Sequence, residues 1–86
     1  MALKKEIILS NGVCVEYHRI TSLNKTGNVL NIAVLSYVNK YYRDLSLDNY
    51  VKTSYYTFEN IDLNVSFKSS YDLLKGHEDF QGAEDI

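Results

Sequence analysis

The sequence predicts a mostly β, α+β chain: an antiparallel β-meander of about five strands with a short C-terminal helix packed on it. Three observations carry this. Residues 3–38 read as three extended segments separated by turn residues, at Asn11-Gly12 and at Asn24-Lys25-Thr26-Gly27-Asn28. Residues 61–68 alternate, with Ile61, Leu63, Val65 and Phe67 on one side and Asp62, Asn64, Ser66 and Lys68 on the other. Ser69 or Ser70 then caps a short helix, Tyr71-Asp72-Leu73-Leu74-Lys75, followed by Gly76.

The first strand covers 3–9, with Leu3, Ile7 and Leu9 on one face interrupted by Lys5. Asn11-Gly12 is a hairpin signal because both residues tolerate positive φ. The second strand runs over about 13–23, where Val13, Val15 and Tyr17 share one side and Cys14, Glu16 and His18 the other. The third, 29–38, is apolar on both faces, which places it inside the sheet. Residues 39–50 read as a long loop with one helical turn, Tyr41 being spaced to meet Leu45. Tyr50–Phe58, rich in Val, Thr, Tyr and Phe, is the fourth strand, and 61–68 the fifth. Asp72 early and Lys75 late suit the dipole of the helix, and Gly76 stands where a C′ glycine belongs.

Size and charge narrow the function classes. An 86-residue chain forms one domain, expected at 1–75, and buries a thin core, so self-association is a natural source of stability. Residues 1–75 hold all nine Lys and Arg and seven of the eleven acids, whereas 76–86 hold four acids and no base. The end therefore reads as an acidic, flexible tail. Neither part offers the basic stripe that phosphate backbones need, so nucleic acid is not an expected partner. One cysteine cannot make an intrachain disulfide. The first ten residues lack the apolar core of a signal peptide, and no apolar run is long enough to span a bilayer. A cytosolic protein without a membrane partner is expected.

Reactive residues are few and poorly placed. Cys14 and His18 suggest a nucleophile and base, but four residues of extended chain separate them by about 13 Å. Glu16 and His18 lack further ligands at metal-site spacing, since the other histidine, His77, lies in the acidic end. Asp44 and Asp48 lack the oxygen ligands and central glycine of a calcium loop. The glycines, at 12, 27, 76 and 82, form no phosphate cradle. No enzyme, metal or cofactor is expected.

Tyrosine is the unusual residue, with eight in the chain and no tryptophan. Tyr41, Tyr42, Tyr50, Tyr55 and Tyr56 crowd residues 41–56, and adjacent strand residues such as Tyr55 and Tyr56 point to opposite faces. Rings that face outward pair apolar area with a polar tip, the chemistry favoured at protein interfaces. These five tyrosines are the candidate protein-binding residues; ring packing in a small core is the competing account.

Residues 2–20, with a Leu-Lys-Lys start, an Asn-Gly-Val turn and a Tyr-His-Arg-Ile strand, resemble the opening of small proteins encoded in phages and prophages of Gram-positive bacteria. The segments Ser70-Tyr71-Asp72-Leu73-Leu74-Lys75 and Phe80-Gln81-Gly82-Ala83-Glu84-Asp85 look similar to the ends of such proteins, while 39–60 departs from them. The resemblance implies a late-operon virion protein of the tail or baseplate module. Such a protein binds other virion proteins or its own copies, in the bacterial cytoplasm during assembly and then in the virion. It carries over no catalytic residue. The alternative is a phage-made adaptor or regulator that binds one host cytosolic protein.

Overall fold

The computed structural model describes residues 2–61 and 66–86. Five antiparallel strands form one open sheet: β1 (Leu3–Ile8), β2 (Cys14–Thr26), β3 (Val29–Tyr37), β4 (Lys52–Phe58) and β5 (Glu84–Asp85), in the order β4-β3-β2-β1-β5. Helix α1 (Lys40–Leu45) joins β3 to β4. Helix α2 (Phe67–Lys75) and a 3₁₀ turn (Glu78–Phe80) lie between β4 and β5. The first four strands form the expected meander. The fifth is not the one the alternation at 61–68 suggested. Residues 62–65 of that segment lie outside the described residues, and Phe67 and Lys68 belong to α2.

The first turn keeps the length its sequence implies, and the second is tighter. At Leu9–Val13 the loop is three residues long, with Leu9 N–H donating to Val13 O and Gly12 N–H to Leu9 O. Gly12 takes φ +85° but Asn11 does not turn positive, so only the glycine supplies left-handed backbone. The second break closes through Gly27-Asn28 alone, Thr26 pairing with Val29, and β2 extends to absorb Asn24-Lys25-Thr26.

Helix α2 starts earlier than expected, for a local reason. Ser66 is its N-cap: its side chain accepts from Ser69 N–H, and the Ser69 hydroxyl bonds back to Ser66 N–H. Neither Ser69 nor Ser70 is the cap. Ser70 is buried and donates to Ser66 O at 2.8 Å. Gly76 caps the other end with φ −81°, so its freedom to adopt positive φ is not used. Phe67, Ser70, Tyr71 and Leu74 lie along one stripe, of which Ser70, Tyr71 and Leu74 are buried.

That stripe covers one face of the sheet. Leu3, Ile20, Leu30, Ile32 and Val34 meet Tyr71, Leu74 and Phe80 in the main core. The Tyr71 hydroxyl accepts from Ile20 N–H at 2.8 Å, where β2 extends past the end of β1. On the opposite face a smaller cluster joins Ala2, Tyr17 and Tyr37, flanked by Leu35.

The acidic end, expected as a flexible tail, is built into the fold. Phe80 is 1% exposed, packed on His18 and Tyr56. β5 pairs with β1, and Ala2 and Ile86 exchange backbone hydrogen bonds at 3.0 Å in both directions. Lys75 binds the Asp85 carboxylate at 2.8 Å, and this bond chiefly holds its ammonium above the usual lysine range. Negative charge gave the end its tail-like composition, but one aromatic anchor and a short strand outweigh it.

Phe80 thus tests whether this end is integral. Phe80→Ala is expected to destabilise the chain by about 3–5 kcal/mol in urea unfolding. Tyr55→Ala, at an exposed site, is expected to cost under about 0.5 kcal/mol. A Phe80 cost below about 1 kcal/mol would show that 76–86 contributes little to the fold.

Candidate protein-binding surface

The side of the sheet opposite α2 is set by the pleat of β3. Leu30, Ile32 and Val34 face the main core, so Ala33, Leu35 and Tyr37 face away from it. Tyr55 pairs with Ala33 and shares that outer face, where it is 78% exposed. Tyr56, paired with Ile32, turns inward.

α1 and the segment after it are fastened to this outer face. Asn39 caps α1 by accepting from Tyr42 N–H, and the Asn49 side chain donates to Tyr42 O at 2.9 Å. The Arg43 guanidinium sits 5.2 Å above the Tyr17 ring. The buried Tyr37 hydroxyl donates to Leu47 O at 2.7 Å, tying the loop to β3. Of the polar groups from Lys40 to Asn49, Arg43 alone is drawn inward, onto Tyr17, and the others stay exposed. The apolar ones face solvent: Tyr41, Tyr42, Leu45, Leu47, Tyr50 and Val51 are all exposed, and no residue of α1 is buried. Tyr41 and Tyr42 meet edge to face at 5.3 Å.

Four of the five candidate tyrosines, Tyr41, Tyr42, Tyr50 and Tyr55, therefore lie exposed. Tyr56 does not join them. It is half-buried against the core, edge to face with His77 at 4.8 Å and Phe80 at 5.5 Å. Its hydroxyl donates to the Asp79 carboxylate at 3.1 Å; burial first, and Asp79 second, push its pKa up to about 12. Leu45, Leu47 and Val51 were absent from the sequence-based selection. The polar residues between them leave no unbroken period of two or of a helical turn that would mark them as exposed together.

The residues weighed for chemistry are dispersed. His18 is fully buried; its Nε2 lies 2.8 Å from Lys5 O and its Nδ1 2.8 Å from Ser36 Oγ. With the neutral ring, Nε2–H donates to the carbonyl and the serine hydroxyl donates to Nδ1. His18 and Val15 line one hollow with Phe80, Tyr56 and Asp79, and Cys14, Glu16 and Asp44 are not part of its wall. The strict alternation expected along 13–18 breaks here, because β1 is irregular between Lys4 and Ile7 opposite Glu16. Val15 thereby joins His18, while Tyr17 packs in the outer cluster.

The Cys14 thiol points to Glu6 at 3.8 Å, and desolvation together with that carboxylate raises its pKa, the opposite of nucleophile activation. Asp44 pairs with Arg43 at 3.2 Å, and Asp48 is exposed. His77 accepts from Asp79 N–H, capping the 3₁₀ turn. Among the described residues no group of three His, Cys, Asp or Glu could hold a metal ion, and no helix is long and apolar enough to cross a membrane. The chain matches no protein-family model, no curated protein and no solved structure.

Burial lowers the His18 pKa below its ordinary 6.5 in the folded chain, since a cation there would face Ser36, Lys5 O and the Phe80 ring without a direct carboxylate partner. The unfolded chain takes up that proton first as pH falls. Stability is therefore full above the unfolded value and declines as pH drops from it toward the lowered folded value. Urea unfolding from about pH 7 to about pH 5 should show this decline, and His18→Gln should remove much of it. An unchanged slope in the variant would assign it to other groups.

Proposed function

We propose that this chain is a non-enzymatic protein-binding module, a structural or assembly component of a phage or prophage particle acting in its tail or baseplate. The observation that supports this reading is the concentration of exposed large apolar residues, among the described ones, in a single segment. Tyr41, Tyr42, Leu45, Leu47, Tyr50, Val51 and Tyr55 are all exposed within fifteen consecutive residues. The Asn39 cap and the Tyr37 hydroxyl hold much of that segment in place. A small chain that leaves this much ring and aliphatic area in water gains free energy by covering it with another polypeptide. Preorganisation lowers the entropy cost of doing so. The resemblance of residues 2–20 and 70–85 to small phage proteins names the setting: assembly in the bacterial cytoplasm, then retention in the virion.

A photo-crosslinking residue at Tyr41, with a control at the exposed Asp72 of α2, tests this in the cells that make the chain. The expected outcome is an adduct between Tyr41 and a tail or baseplate protein, with the chain retained in washed particles and little adduct from Asp72. Adducts solely to a host cytosolic protein would replace this reading with that of a host-directed adaptor. Equal adducts from both positions would remove the surface from the argument.

A further inference from the structure

The two edges of the sheet are built differently. β5 is two residues long and presents Glu84 and Asp85, both exposed. Short length and charge are the ordinary means by which an edge resists pairing. β4 has little of this protection. It is seven residues long, pairs with β3 without a bulge, contains no proline and carries its only charge at Lys52. About half of its peptide groups point away from β3. Among the described residues no hydrogen bond outside the β3 ladder reaches the backbone of Lys52–Phe58. The residue at its centre, Tyr55, is the most exposed of the large apolar side chains described.

We propose that β4 is a self-pairing edge: two copies of this chain join antiparallel through β4 about a two-fold axis at Tyr55, making one continuous sheet. The proposal rests on the reading of 41–55 as a binding surface and names one occupant, a second copy. The sequence of the edge selects that occupant. Centred on Tyr55, the register sets Thr53 opposite Thr57 of the other copy, Ser54 opposite Tyr56 and Lys52 opposite Phe58. Thr–Thr and ring–ring neighbours are favourable cross-strand pairs. Glu59 lies just past the last residue of β4 and outside its alternation, so antiparallel pairing brings the Lys52 end of each copy beside the Glu59 end of the other, twice. Parallel pairing would set lysine beside lysine and could not close as a two-fold.

Each copy has one such edge, so the arrangement stops at a dimer. Both α2 layers then lie on the same side of the joined sheet. Both outer faces, with their exposed tyrosines, form one surface on the other side. The acidic β5 strands become its two outer edges.

Sedimentation or native mass spectrometry over a concentration series tests this. The wild-type chain is expected to move from 9.9 kDa to twice that mass. Tyr55→Lys, which changes only an exposed side chain, should remain a monomer because two ammonium groups would meet at the axis. Lys52→Glu and Glu59→Lys should each weaken the dimer roughly tenfold, by setting like charges together. An equimolar mixture of these two variants should recover it, since each then meets an opposite charge. The two positions lie roughly 23 Å apart along one strand, so rescue on mixing reports pairing between copies.

A wild-type chain that stays monomeric throughout, a dimer that survives Tyr55→Lys, or variants that fail to rescue each other would overturn the proposal. These outcomes are separable from those of the crosslinking. A monomer whose Tyr41 still joins a particle protein loses the dimer and keeps the binding function. A dimer without such an adduct keeps self-pairing and loses the proposed assembly role.

Discussion

A single constraint organises this molecule: β3 is apolar on both faces, so the sheet needs cover on both sides. Leu30, Ile32 and Val34 need cover on one side, and Ala33, Leu35 and Tyr37 on the other. α2 and the 3₁₀ turn close the first side with Tyr71, Leu74 and Phe80. Among the described residues, the second side is covered by α1, with no buried residue of its own, and a loop tied down at Leu47. A two-layer packing is thus complete on one face and partial on the other. The partial face carries the exposed rings.

His18 is best understood within the complete face. It looks like a catalytic residue by type, yet its two ring nitrogens are taken up by a carbonyl of the irregular β1 and a serine of β3, and Phe80 packs on its ring. A buried polar group satisfied on both sides fixes strand register and joins elements distant in sequence. The imidazole therefore links β1, β3 and the acidic end. Its chemistry is spent on architecture, as is that of His77, which caps the 3₁₀ turn.

The tyrosines divide by the same logic. Tyr17, Tyr37 and Tyr71 are buried, and the latter two place their hydroxyls on backbone groups, at Leu47 O and Ile20 N–H. Tyr56 is half-buried with its hydroxyl on Asp79. Tyr41, Tyr42, Tyr50 and Tyr55 remain in water. One residue type thus serves as core filler, clamp and exposed contact, according to which side of the pleat or helix it occupies.

The sequence alone determined the four-strand meander, the helix that follows it and the inside-versus-edge position of β3. These rest on turn residues and on two-residue or helical periodicity, which are local properties of the chain. It also separated Tyr55 from Tyr56, because neighbouring strand residues must face apart. Tertiary structure decided the rest. Ser66 captures the start of α2 because its reciprocal bonds with Ser69 let Phe67 and Lys68 enter the helix rather than extend an alternating strand. The acidic end becomes β5 because Phe80 finds a place beside His18, a contact across sixty residues that no local pattern announces. Periodicity records which face a residue wants. It does not record which distant segment arrives to cover that face.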